Sequence, residues 1–133
     1  MERTYIMLKP DALKRGVAGE IISRIERKGY KIVEAKTMQL GEDILKEHYA
    51  HIADKPFFPE LVEYMTSGPV LAMIVEGPDV VQGMRILMGA TKWEEAAPGT
   101  IRGDYAFCTT ENLIHGSDSV ENAVIEIKRF FGK

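Results

Sequence analysis

The stretch TYIMLKPDALKRGVAGEIISRIERKGYKIVEAKTMQL, Thr4 to Leu40, decides the fold. Thr4 to Leu8 is a short apolar run that stops at Lys9-Pro10, because proline has no N–H to give to a sheet ladder. Ala18, Ile21, Ile22 and Ile25 then recur at i, i+3, i+4 and i+7, with Gly29 just past the end, and this spacing predicts an amphipathic helix. Tyr30 to Leu40 is rich in β-branched and apolar residues, with Glu34 and Lys36 two apart on one side, and reads as a second strand.

Downstream, Leu45, Tyr49 and Ile52 place a helix over 42–52, and Pro59 near a first turn opens another over 59–66. Pro69 to Val75 is a continuous apolar run suited to a central strand buried on both faces, ended by Glu76-Gly77-Pro78. Val80, Val81, Met84, Leu87 and Met88 form a helical stripe closed by Gly89. Residues 89–103 show no periodicity, and a loop of that length in a compact domain is usually functional. A last short strand, Asn112 to His115, precedes a helix whose capping box is expected at Asp118 and Glu121 and whose stripe is Val120, Ala123, Val124, Ile127 and Phe131. The order contains a βαββαβ core with an extra helical pair and a closing helix. The expected class is therefore α+β, ferredoxin-like, with a four-stranded antiparallel sheet and helices on one face.

The length of 133 residues fits one domain, 1–133, and 45% hydrophobic with 28% charged residues is an ordinary globular balance. No apolar stretch approaches the roughly 20 residues of a membrane span, and no signal-peptide core opens the chain, so a cytoplasmic location is expected. The single cysteine, Cys108, has no internal disulfide partner and reads as a small buried or half-buried side chain. A net charge of -3 argues against a nucleic-acid binder with a broad basic face. Any anionic ligand has to meet a local cluster of Lys and Arg.

Three histidines are available. His48 and His51, three apart on a helix, could share a face, but no further ligand joins them, and they read as structural or surface residues. His115 stands at the end of a strand just before a helix, where N-terminal N–H groups disfavour an imidazolium and attract phosphate oxygens. A neutral imidazole is a nucleophile. Residue context alone leaves His115 between a packed ring and a catalytic one. Gly116 is expected to clear space beside it for a tetrahedral phosphoryl group. On spacing Glu126 reads as a solvated helix residue; alternatively, its carboxylate accepts a hydrogen bond from one ring nitrogen and fixes which nitrogen attacks. Lys9, Arg85 and Arg102, near element ends, are candidates to surround a migrating phosphoryl group with positive charge. Neither G-x-x-x-x-G-K-[ST] nor G-x-G-x-x-G occurs.

With these residues in view, the sequence resembles the nucleoside diphosphate kinase family from end to end. The most specific block is Asn112-Leu113-Ile114-His115-Gly116-Ser117-Asp118; others are Lys9-Pro10-Asp11, His48-Tyr49, Pro56-Phe57-Phe58, Ser67-Gly68-Pro69-Val70 and Pro98-Gly99-Thr100-Ile101-Arg102-Gly103-Asp104. The resemblance implies a ping-pong transfer of the γ-phosphoryl group from a nucleoside triphosphate to a nucleoside diphosphate through a phosphohistidine formed at His115 Nδ1. It also implies residue roles: Lys9 and Tyr49 near the transferring phosphate and the sugar hydroxyl, Arg85, Thr91 and Arg102 on the other phosphates, and Asn112 on the ribose 3′-hydroxyl. Phe57 would lie against the base with Leu61 beside it, and Glu126 would orient the imidazole. Stacking accepts any base, so broad nucleotide specificity is expected. The implied cofactor is Mg²⁺, held mostly by the substrate with no dedicated protein ligands, and the implied assembly a homo-oligomer, hexamer favoured and tetramer possible. The chain departs from many members at Lys92-Trp93, where they have Asn-Pro, and at Thr109, often apolar in the family; it stops at Phe131-Gly132-Lys133, before the C-terminal extension many members carry. Two other classes remain, a nucleotide-sensing module and a phosphohistidine carrier charged by a protein; the first has no use for a nucleophile, the second none for Phe57, Thr91 and Asn112.

Overall fold

A computed structural model describes residues 1–133. Four strands, β1 (Glu2–Leu8), β2 (Lys31–Met38), β3 (Val70–Gly77) and β4 (Ile114–Gly116), form one antiparallel sheet in the order β2-β3-β1-β4. The helices are α1 (Pro10–Lys14), α2 (Ala18–Arg27), α3 (Glu42–His48), α4 (Phe58–Met65), α5 (Val80–Met88), α6 (Ile101–Tyr105) and α7 (Val120–Phe131), with 3₁₀ turns at Ala50–Ile52 and Trp93–Glu95. The expected α+β, ferredoxin-like arrangement is present.

One expectation needs correction: helices cover both faces, not one. In β1 the alternation of a pleated strand sends Ile6 and Leu8 to one side, where they pack with Ile21 and Ile25 of α2 and Met84 and Met88 of α5. Tyr5 and Met7 point the other way, into a cluster with Leu45 of α3, Phe58, Leu61 and Met65 of α4, and Phe130 of α7. The double cover explains why β1 is apolar from Tyr5 to Leu8 and β3 from Val70 to Val75, as two-sided burial requires. Each fully buried Ile, Leu or Met contributes about 1.5–3 kcal/mol of transfer free energy.

Local details differ too. Pro10 does not merely end β1; it occupies the first turn of α1, where its fixed φ and missing N–H cost nothing. The cap of α7 is Ser119, whose hydroxyl accepts from the Asn122 N–H at 3.0 Å, whereas Asp118 accepts from the Asn122 side-chain amide. Within the apparently aperiodic 89–103 segment, Thr100 caps α6 by accepting from the Gly103 N–H at 2.9 Å.

Candidate active site

Strand register fixes where the key ring points. Met7 pairs with His115 and Ile6 with Gly116, so His115 lies on the face carrying α7 and Gly116 on the face carrying α5. Gly116 therefore does not clear space beside the imidazole, as its sequence position suggested. A Cβ there would come within 2.6 Å of Met88 Sδ and 3.1 Å of Ile6 Cδ1, so the missing side chain serves core packing while the backbone borders the cleft. Immediately before β4, Leu113 is fully buried with φ 77°, held by Ile114 N–H donating to the Asn112 carbonyl at 2.9 Å and Lys9 N–H donating to the Leu113 carbonyl at 2.8 Å. A left-handed non-glycine residue costs on the order of 1 kcal/mol or more and persists only where its surroundings enforce it.

His115 opens onto a cleft of about 640 Å³. Its Nε2 lies 2.9 Å from Glu126 Oε1, and the same oxygen accepts from the Ser117 hydroxyl at 2.6 Å. An ionised carboxylate can only accept, so Nε2 carries the hydrogen and Nδ1 keeps the lone pair. The carboxylate is ionised: burial pushes its pKa up, but the His115 and Ser117 hydrogen bonds and the electrostatic influence of the neighbouring His115 and His48 rings bring it below the usual glutamate value. Glu126 is thus no solvated helix residue; its side chain is 14% exposed and spent on the imidazole.

The predicted cations share this cleft. Lys9, Arg85 and Arg102 line it together with Tyr49, Thr91, Asn112, His115 and Glu126. Lys9 is buried and donates from Nζ to Asn112 Oδ1 at 2.9 Å; burial first, then Arg102, lower its pKa to about 8. Arg102 is buried and donates to the carbonyls of Gly89 at 3.0 Å and Ile114 at 2.6 Å; burial, then Arg85, lower its pKa to about 10, which still leaves it charged at neutral pH. Arg85 and Thr91 are exposed at the mouth. Burial, then Glu126, push the Tyr49 phenol up to about 12, so its hydroxyl remains a donor. A second hollow of about 270 Å³ adjoins, sharing Lys9, Tyr49, Thr91 and Asn112, and Phe57 and Leu61 line it beside Thr109. Every residue singled out for the site in the sequence thus lines one of two confluent hollows, positive and polar at one end, aromatic and apolar at the other.

Three neighbours were not singled out for roles here. Ser117 lies inside the quoted block, and its place two residues past His115 was the available signal. His48 is buried, edge-on to His115 with ring centroids 4.7 Å apart, while His51 is exposed; the two form no metal pair. Arg129 donates to His48 Nδ1 at 2.9 Å. The Leu45-to-His48 spacing along the buried stripe of α3 and the Glu126-to-Arg129 spacing along α7 were both visible in the sequence.

Comparison with known proteins agrees with this fold. The nucleoside diphosphate kinase family model matches residues 2–133. A Thermus thermophilus nucleoside diphosphate kinase is 53% identical over 131 residues, covering 98% of this chain and 96% of its own. The crystal structure of the apo Encephalitozoon cuniculi enzyme superposes with a TM-score of 0.97 at 50% identity, covering 100% of this chain and 90% of that one. A halophilic nucleoside diphosphate kinase from Halobacterium salinarum, solved in complex with CDP, gives 0.95 at 51% identity, covering 99% and 88%. With near-complete coverage at this identity, the chain belongs to the nucleoside diphosphate kinase family, phosphotransferases that move a phosphoryl group from a nucleoside triphosphate to a nucleoside diphosphate through a phosphohistidine.

Proposed function

We propose that His115 is the residue that carries the phosphoryl group, attacking through Nδ1, and that the two hollows hold the nucleotide with its base toward Phe57 and Leu61. The observation that carries this reading is the Glu126 carboxylate on Nε2, which leaves the lone pair on the other nitrogen. In the first half-reaction the Nδ1 lone pair forms a bond to the γ-phosphorus, the bond from phosphorus to the β–γ bridging oxygen breaks, and the diphosphate leaves with that electron pair. The phosphorylated ring is cationic, and Glu126, ionised and hydrogen-bonded to Nε2, stabilises it. In the second half a terminal oxygen of the acceptor diphosphate attacks the phosphorus and the electron pair returns to Nδ1.

Other groups position and neutralise. Lys9 and the Tyr49 hydroxyl donate at the migrating group and the sugar hydroxyl, Arg85, Thr91 and Arg102 bind the remaining phosphates, and Asn112 takes the ribose 3′-hydroxyl; their shared cleft supports these roles. The CDP bound by the Halobacterium salinarum relative supports a pyrimidine nucleotide among the substrates. The Mg²⁺ salt of the nucleotide is the expected substrate form. The cleft suits a metal held by phosphates and water, because Glu126 is engaged by His115 and Ser117 and Asp118 by Asn122. That ion screens charge between phosphate oxygens when bound. A homo-oligomer, hexamer favoured, is supported by β2 at the open sheet edge and by exposed Val120, Val124 and Ile125 on α7; light scattering tests it. No helix is long and apolar enough to cross a membrane, and a cytoplasmic location is part of the proposal. The test of the nucleophile is His115→Ala, expected to fold, bind nucleotide and lose transfer almost completely; retained turnover would assign it elsewhere.

A further inference from the structure

The His48 ring belongs to none of the roles above, yet it is packed against the proposed nucleophile. Its side chain is 2% exposed, its plane stands at 80° to His115, and Arg129 donates to its Nδ1 at 2.9 Å. An accepting Nδ1 places the ring hydrogen on Nε2 and makes the imidazole neutral. Glu126 Oε2 lies 4.0 Å from the same Nδ1, too far for a hydrogen bond. His48 thus stands beside both a guanidinium and a carboxylate and bonds only the guanidinium.

Arg129 follows Glu126 by three residues on α7, a spacing at which an acid and a base readily pair. They do not pair here. Arg129 is turned to α3 instead, bonded to His48 and facing Glu47 Oε1 at 3.6 Å from Nε. We propose that His48 is a positioning residue: by accepting the Arg129 hydrogen bond it keeps that cation off Glu126, leaving the carboxylate to hold the His115 ring with Nδ1 available. The inference rests on the phosphohistidine reading. If the acceptor is lost, the guanidinium swings one turn along its own helix and takes Glu126 in a charge-assisted pair, which is stronger than the bond from a neutral imidazole. His115 is then free to turn or change tautomer, and a poorly aligned nucleophile loses on the order of ten- to a hundredfold in rate.

The experiment measures single-turnover phosphorylation by γ-labelled ATP with Mg²⁺ for the full chain, for His48→Leu and for His48→Gln, whose amide oxygen can accept from Arg129. Each is also made in an Arg129→Leu background. Nucleotide affinity by calorimetry and the His115 tautomer by ¹⁵N NMR are read alongside. Expected is a fall of ten- to a hundredfold for His48→Leu with affinity changed less than about threefold, recovery of most of the rate in His48→Gln, and a small effect of either change once Arg129 is leucine. The NMR spectrum should show the Nε2–H form of His115 in the parent and in His48→Gln, and a mixture in His48→Leu. Equal losses with and without Arg129, or an undiminished rate in His48→Leu, would overturn the proposal; if His48→Leu fails to fold, a mixed His115 tautomer in His48→Gln would do the same. A parent that takes up no label at all refutes the phosphohistidine reading itself, a different and distinguishable failure.

Discussion

The buried His48 ring makes an acid-stability prediction whose size follows from its surroundings. Burial, then the nearby His115, Arg129 and Lys9 charges, hold its pKa down to about 3 against an ordinary 6.5, with Glu126 opposing. Between those values the folded ring stays neutral while the unfolded chain takes up a proton, so the unfolded state binds more protons and stability rises with pH across that interval. The contribution is complete above about pH 6.5 and declines as pH falls, at roughly 1 kcal/mol or a little more per pH unit. From pH 6.5 to 5, above the range where most carboxylates titrate, His48 should remove on the order of 2 kcal/mol. His48→Gln cannot take up a proton and should flatten that part of the curve, though its absolute stability will differ. Urea unfolding followed by circular dichroism at half-unit pH steps measures both slopes. Parallel curves for parent and variant between pH 6.5 and 5 would refute the reasoning, because they would mean that the ring protonates in place without penalty.

Three further outcomes follow from the site. Lys9, with its pKa at about 8, should give kcat/KM an alkaline limb near that pH, since the free enzyme's lysine loses its charge there; a profile flat to about pH 9.5 would show that the phosphate does not depend on it. Gly116→Ala should cost about 1–3 kcal/mol in thermal or urea unfolding through collision with Met88 and Ile6, and Met88→Val should recover part of it; unchanged stability with lost activity would return the glycine to the catalytic role its sequence position suggested. Phe57→Ala should weaken nucleotide binding by about 1–3 kcal/mol for purine and pyrimidine nucleotides alike in titration calorimetry, and loss confined to one base would mean edge recognition.

The sequence carried the helices with long apolar stripes, Ala18–Arg27 and Val80–Met88, because one buried face repeats every third or fourth residue. Short elements lacked that signal. In α6 one turn is held by the Thr100 cap, and in α1 the Pro10 that ends a strand also begins a helix, two meanings local reading cannot separate. Two-sided cover of the sheet was written into β1, whose Tyr5, Ile6, Met7 and Leu8 leave no polar side, but topology alone suggested one helical face. At the site, His115, its cations and Glu126 were legible through the motif and the resemblance it carries, whereas the contacts of Ser117, His48 and Arg129 around them were not. Gly116 needed strand register to show which way its missing side chain points, and the Arg129–His48 bond joins residues 81 apart in sequence. Contacts of that kind follow from packing and leave no local pattern.

The measurement closest to the central claim is a ³¹P NMR spectrum of the protein after brief exposure to Mg²⁺ and ATP and removal of nucleotide. A single acid-labile phosphohistidine, substituted at His115 Nδ1 and discharged by either GDP or CDP, is the predicted result. A phosphoryl group on Nε2 or on another residue, or none while transfer proceeds, would contradict it.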